Sequence, residues 1–288
     1  MKQSENVKLN PRLTFWKCET CSRAMFYLLN YEFENRKPQE EKASDILAGG
    51  IAMKGQQCGM LWGGALAIGT ESYQRFNDLN EATATAIHAS KFLIDSFYNR
   101  VRTVNCLDIS KTDWEKKSDR TIYILKTIVQ GFVFSKCFNL MSKWTPDAIT
   151  AVKEGLVRKK SQCRPCLSCS AEVLKKMGAT HEESIMVAGF AGGIGLSGNA
   201  CGALSAVIWY SMLVYSRKNH GKRPAMFNNL QAKRILSIFY QQTNAEILCR
   251  KISGKQFASV DEHTAYLQNG GCRGLLEALA RSLEDKEK

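Results

Sequence analysis

One pattern of glycines and cysteines occurs twice in this chain of 288 residues, with the same internal spacing. Each copy has a Gly-Gly-Ile step, then a single glycine, then a Cys-Gly step. Self-similarity at a long fixed period is typical of a duplicated unit, so the chain is predicted to contain two homologous halves. The matched residues, all 143 positions apart, are Gly49 and Gly192, Gly50 and Gly193, Ile51 and Ile194, Gly55 and Gly198, Cys58 and Cys201, Gly59 and Gly202, and Leu61 and Leu204.

Other cysteines follow the same repeat. Cys106 and Cys249 keep the offset of 143, and two CxxC pairs, which begin at Cys18 and Cys166, are 148 residues apart. The match between Cys137 and Cys272 is looser, because they follow the preceding cysteine by 31 and 23 residues respectively. The pairing gives two sets of four cysteines: Cys21, Cys58, Cys106 and Cys137, and Cys169, Cys201, Cys249 and Cys272.

The length leaves room for two domains of roughly 140 residues each. The predicted domains are residues 11–150 and 160–288, and the basic run Arg158-Lys159-Lys160 is interpreted as a solvated charge run in the linker between them. The net charge of +13 is spread along the chain, so a nucleic-acid-binding function is not favoured. No secretory signal is visible, and the most apolar window, 201–215, is too short for a membrane span. The sequence predicts a soluble, cytoplasmic protein.

Helical periodicity dominates the chain and predicts an all-α fold. Asn80 is a predicted N-cap, and the apolar residues after it recur at helical spacing until Cys106, where the helix is expected to end. The corresponding helix runs from about Asn228 to Cys249. Two further segments, 59–69 and 202–215, have no polar face, so they are predicted to be buried helices that begin at the Cys-Gly steps.

Eleven cysteines in a protein without an export signal favour metal ligation or thiol redox chemistry over structural disulfides. Four thiolates from separate helices could bind a zinc ion or an iron–sulfur cluster, and the two sets of four are the predicted ligands. A cysteine at a helix start faces the positive end of the macrodipole, so a lowered pKa is expected at Cys58 and Cys201. The glycines before these cysteines allow close backbone approach, and the predicted cofactor-binding positions are Gly50, Gly55, Gly193 and Gly198.

A CxxC pair can also act as a metal-free dithiol. On this interpretation Cys18 and Cys166 are the reactive partners of Cys21 and Cys169. Neither pair lies in a thioredoxin-like βαβ context, so that fold is disfavoured. The four histidines do not match between the halves and are interpreted as surface or helix-face residues.

These motifs resemble a small family of redox-active proteins defined by four cysteines in the order Cys, Cys-Gly-Ala-x-x-Gly, Cys, Cys. The second half is the closer match, with Cys201-Gly202-Ala203, and the first half looks like a diverged copy, with Cys58-Gly59-Met60. The second half has Ala206 where the motif has glycine, whereas the first half keeps Gly63. The resemblance covers nearly the whole chain as a tandem duplication and implies helical domains that are redox-active or bind metal.

The leading hypothesis is a tandem redox protein in which each half binds an iron–sulfur cluster and transfers electrons to a redox partner protein. The alternatives are a metal-free thiol oxidoreductase and a structural zinc protein with a basic binding surface. If the protein is an enzyme, it is expected to be an oxidoreductase.

Overall fold

Helices dominate the computed structural model, which describes residues 9–129, 131, 135–157 and 164–283. Within these ranges the only β-type pairing is two isolated bridges, so the predicted all-α fold is confirmed. The predicted linker run Arg158-Lys159-Lys160 lies outside them. The α-helices are α1 (Pro11–Cys18), α2 (Cys21–Glu32), α3 (Pro38–Ala43), α4 (Gly59–Arg75), α5 (Leu79–Val101), α6 (Cys106–Ser110), α7 (Lys117–Val129), α8 (Lys136–Val157), α9 (Cys169–Lys176), α10 (His181–Met186), α11 (Gly202–Lys218), α12 (Leu230–Thr243), α13 (Cys249–Ile252), α14 (Val260–Gln268) and α15 (Arg273–Ala280).

Helices α4 and α11 are the buried centres of the two halves. Both begin directly after a cysteine, at the Cys-Gly steps, as predicted. Their sequences contain small and apolar residues on all sides, so each helix can be surrounded by others: α4 by α2, α5 and α10, and α11 by α9, α12 and α3. No helix in the described ranges combines the length and apolar character that a bilayer crossing requires.

Two predicted helix boundaries are wrong. Helix α5 is capped by Asp78, whose carboxylate accepts a hydrogen bond from the backbone N–H of Asn80 at 2.8 Å. Cys106 and Cys249 do not end the long helices α5 and α12; each begins the short helix that follows. The long helices stop earlier, at residues with positive φ, Arg102 and Asn244.

The two halves share one continuous hydrophobic core. Trp62 of α4 packs edge-to-face on Phe190, with ring centroids 4.8 Å apart. The side chain of Gln57 donates to the carbonyl oxygen of Gly193 at 3.1 Å. At Gly69 a methyl group would lie 2.3 Å from the carbonyl oxygen of Met186, so α4 and α10 touch through backbone. The halves are therefore structural repeats packed into one body.

Candidate functional site

The eight predicted ligand cysteines all lie at the N-terminal ends of helices. Cys21, Cys106, Cys169 and Cys249 are first helical residues; Cys58, Cys201 and Cys272 directly precede a helix; and Cys137 is the second residue of α8. We call Cys21, Cys58, Cys106 and Cys137 the first-half centre, and Cys169, Cys201, Cys249 and Cys272 the second-half centre. The members of each centre line one common cavity.

Backbone hydrogen bonds hold the second and third cysteines of each centre side by side. The N–H of Cys58 donates to the carbonyl of Val104 at 2.7 Å. The N–H of Cys106 donates to the carbonyl of Gln56 at 2.6 Å. The equivalent bonds of the second half run from Cys201 to Ile247 at 2.9 Å and from Cys249 to Asn199 at 2.6 Å. The repeated spacing of 48 residues between these cysteines is therefore a structural pairing.

The glycine-rich loops require glycine for close backbone approach. Gly50 and Gly193 have φ of 79° and 85°, and a methyl group at either would lie within 2.6 Å of the backbone nitrogen six residues later. Gly55 and Gly198 also have positive φ, and each packs against the helix that begins at the third cysteine. These four predicted cofactor-binding glycines thus shape the loop beside each centre, whereas Gly49 is the loop glycine that lines the first-half cavity.

Cys21 and Cys58 form the closest pair in the first-half centre. The Cys58 thiol donates a hydrogen bond to the Cys21 sulfur, and this bond is the main reason that the pKa of Cys21 is lowered. Backbone N–H groups of Gly49 and Ser22 also donate to this sulfur and help to hold its pKa down. A methyl group at Gly59 would lie 2.7 Å from the Cys21 sulfur, so glycine is needed there. Cys21 is therefore the thiol best stabilised as a thiolate.

The predicted lowering of the pKa at Cys58 and Cys201 is wrong. The hydrogen bond to Cys21, together with burial, holds the pKa of Cys58 well above its ordinary value. Burial raises the pKa of Cys201 to about 12. Removing a thiolate from water costs more here than the helix N-terminus returns, because the macrodipole contributes on the order of 1 kcal/mol.

A tyrosine contacts the fourth cysteine of each centre. The Tyr123 hydroxyl hydrogen-bonds the Cys137 sulfur, and the Tyr266 hydroxyl lies 3.7 Å from the Cys272 sulfur. The tyrosines are 143 residues apart, as are the aromatic rings that pack on them, Trp114 and Phe257. The sequence reasoning missed these residues because it followed cysteines and glycines. The signal was the same offset applied to aromatic residues, and it restores register where the fourth cysteines lose it.

His263 lies at the second-half centre, so its interpretation as a surface or helix-face residue is wrong. Its ring is 2% exposed, packs edge-to-face on Phe257 and lies 3.2 Å from the carbonyl oxygen of Leu167. Burial lowers the pKa of His263 to about 4.

Stability is therefore expected to fall as the pH is lowered from 7 to 4. Below the ordinary pKa of 6.5 the unfolded chain binds a proton at His263, whereas the folded chain does so only below about 4. The unfolded state gains about 3 kcal/mol over this window. Urea unfolding at both pH values should show that wild type loses about this much more than His263→Gln, which keeps a hydrogen-bond donor and does not titrate. Equal losses would contradict the assignment.

The CxxC pairs differ from the predicted arrangement in one respect. Cys166 is disulfide-bonded, whereas Cys169 is a free thiol, so these two are not bonded to each other. Cys18 is buried in the core, where desolvation raises its pKa to about 11. Cys18 is also not one of the described residues that line the cavity beside Cys21. The dithiol roles of Cys18 and Cys166 stay predictions.

The two centres differ strongly in the space around them. The cavity at the first-half centre has a volume of about 910 Å³, whereas the one at the second-half centre has about 20 Å³. Among the described residues, no group of three or more His, Cys, Asp or Glu side chains is placed to hold a single metal ion. The thiols therefore surround a space without converging on one point.

The comparisons identify one family. Residues 19–177 and 166–286 each match the family described as "Putative redox-active protein (C_GCAxxG_C_C)". The chain belongs to this family, and the two matches agree with a tandem duplication. The predicted boundaries 11–150 and 160–288 stay a prediction. No curated protein and no solved structure matched the chain.

Proposed function

We propose that this protein is a thiol-based redox protein whose reactive pair is Cys21 and Cys58. The observation that carries the proposal is the hydrogen bond between these two sulfurs at the wall of a large cavity. A dithiol redox centre needs one sulfur to attack and a second within reach to resolve the mixed intermediate. Cys21 and Cys58 meet this requirement, although they are 37 residues apart in the sequence.

The surrounding residues assign a role to each sulfur. Backbone N–H groups from the glycine loop and from the start of α2 face Cys21, which suits it to be the attacking thiolate. Cys58 carries the proton between the two sulfurs, which suits it to be the resolving thiol. Both side chains reach the cavity, so the pair is accessible from that side.

The proposed partner is a redox protein that presents a disulfide. The Cys21 thiolate attacks one sulfur of that disulfide, the partner's S–S bond breaks, and the departing sulfur takes up a proton. Cys58 then loses its proton and attacks the Cys21 sulfur of the mixed disulfide, which releases the second partner thiolate. A Cys21–Cys58 disulfide forms, and two electrons pass to the partner.

Disulfide mapping tests the assignment. After mild oxidation of the reduced protein and alkylation of the remaining thiols, the peptides containing Cys21 and Cys58 are expected to be cross-linked to each other in a digest analysed by mass spectrometry. In Cys58→Ser this cross-link should be lost while the second-half cysteines keep their labelling. A Cys21–Cys18 cross-link in wild type would instead identify the CxxC pair as the reactive one and would contradict the proposal.

An iron–sulfur cluster is the second candidate, favoured by the placement of four thiols from four helix ends around one cavity in each half. In the first half Cys21, Cys58, Cys106 and Cys137 would be the ligands, and a cluster held there would transfer single electrons. The positions of the thiols around a space suit a multi-iron cluster better than a single zinc ion. In this case the Tyr123 hydroxyl, bonded to the Cys137 sulfur, would tune the potential.

Anaerobic purification separates the two candidates. A cluster is expected to give visible absorption together with iron and sulfide, both reduced in Cys58→Ser or Cys201→Ser according to the half that holds it. Colourless protein without iron or sulfide that still forms the Cys21–Cys58 disulfide would leave the thiol pair as the redox centre.

A further inference from the structure

The first-half cavity is a built feature of this chain with no counterpart in the second half. In the second half Tyr266 and Cys272 are six residues apart, and the intervening chain closes tightly on the tyrosine ring. In the first half Tyr123 and Cys137 are 14 residues apart, and α7 extends to Val129. The longer connection moves the wall away from the thiols and leaves about 910 Å³.

The second half supplies the opposite wall. Helices α4 and α5 are joined by a short turn, whereas the segment between α11 and α12 covers residues 219–229. Part of this longer segment, including Arg223, Met226 and Phe227, lines the first-half cavity. Its position is fixed by Arg223, whose guanidinium bonds Asp45 at 2.5 Å and also pairs with Glu19. The guanidinium of Arg120 from α7 lies 4.5 Å from the centre of the Phe227 ring, so both walls are linked.

The chemistry of the walls indicates what the cavity accepts. Six aromatic residues line it: Phe15, Trp16, Trp114, Tyr123, Phe138 and Phe227. Phe15 and Phe138 stack face to face at 4.2 Å. The cation at the mouth, Arg223, is neutralised by two carboxylates, so it does not select an anion. A volume of this size with aromatic walls suits a flat uncharged molecule, and an extended peptide would find few partners for its backbone.

We propose that the first-half cavity binds a planar aromatic electron acceptor of the quinone class and delivers it to Cys21 and Cys58. This rests on the proposed thiol function of the same pair. The electron balance is closed: the two thiols lose two protons and two electrons and form one S–S bond, and the quinone takes up both and becomes a hydroquinone. The partner redox protein, in its dithiol form, then reduces the disulfide for the next cycle.

Binding is tested first, with duroquinone as the probe, because its fully methylated ring leaves no position for thiol addition. Saturable quenching of tryptophan fluorescence is expected, since Trp16 and Trp114 line the cavity. The double variant Cys21→Ser/Cys58→Ser should bind equally well, because the walls are intact. Thr127→Phe fills the cavity from a buried position and should weaken binding about tenfold or more. Ile122→Phe, on the exposed side of the same helix, is the matched control and should bind as wild type.

Reduction is tested second, by following hydroquinone formation from the reduced protein. Wild type should form one hydroquinone for each Cys21–Cys58 disulfide, and the double variant none. Absence of saturable binding in both proteins, or equal binding by Thr127→Phe, would overturn the cavity proposal and leave disulfide exchange with a protein partner unaffected. Binding without reduction would overturn electron delivery by the pair while the ligand site stands.

Discussion

Replacement of Cys21 by serine is expected to stop two-electron cycling at the first-half centre. Serine keeps the size of the side chain, but its hydroxyl is not a nucleophile at neutral pH without a base. The rate of disulfide exchange with a small disulfide should fall on the order of 10³-fold or more. Stopped-flow measurement of thiol consumption in the reduced protein checks this.

Cys169→Ser is the matched control, because Cys169 occupies the equivalent position at the start of α9. Burial raises the pKa of Cys169, unlike that of Cys21, so this thiol should contribute little to the fast phase. The control should keep the fast phase of wild type, and far-UV circular dichroism should show that both variants are folded. A fast phase that survives in Cys21→Ser, or is lost in Cys169→Ser, would contradict the assignment of the reactive thiol.

Gly63→Ala is expected to be the most damaging single-methyl change in the first half. Helices α2 and α4 cross at this point, and the added methyl group would lie 1.9 Å from the carbonyl oxygen of Ser22. Backbone cannot yield locally, so the helices must separate, at a cost of about 3 kcal/mol in the free energy of unfolding. Urea unfolding of the variant and wild type measures the difference.

Gly274→Ala is the control for the glycine-to-alanine change itself. Gly274 lies in α15, and no atom is within 4 Å of a methyl group built there. The greater helix propensity of alanine should stabilise the protein by about 0.5–1 kcal/mol. A Gly63→Ala protein as stable as wild type would show that the crossing of α2 and α4 is looser than described. The motif departure at Ala206 is consistent with this view, since the second half already accommodates a buried methyl group at the equivalent position.

Sequence periodicity was sufficient for the helical fold and for the meeting of four cysteines in each half. The repeat kept Cys58 and Cys106 at the same separation as Cys201 and Cys249, and this separation reflects local backbone pairing. Glycines with positive φ, such as Gly50, also leave a clear trace in sequence, because few other residues fit there.

The shape of the site could not be read in the same way. The cavity depends on how far α7 stands from Tyr123 and on a segment around Arg223, which comes from the other half of the chain. Neither follows from spacing within one repeat. The direction of the pKa shift at Cys58 was missed for a related reason: helix position is visible in sequence, whereas burial and the neighbouring sulfur of Cys21 are not.

The common core also determines when each part of the chain can become stable during synthesis. Trp62 and Gly69 face Phe190 and Met186, which leave the ribosome more than a hundred residues later. At ordinary translation rates this delay is on the order of ten seconds. During that interval one side of α4 lacks its packing partners, so the nascent first half exposes apolar surface and is a substrate for chaperones. The thiols at its centre are then open to oxidants before the cavity that will enclose them has formed.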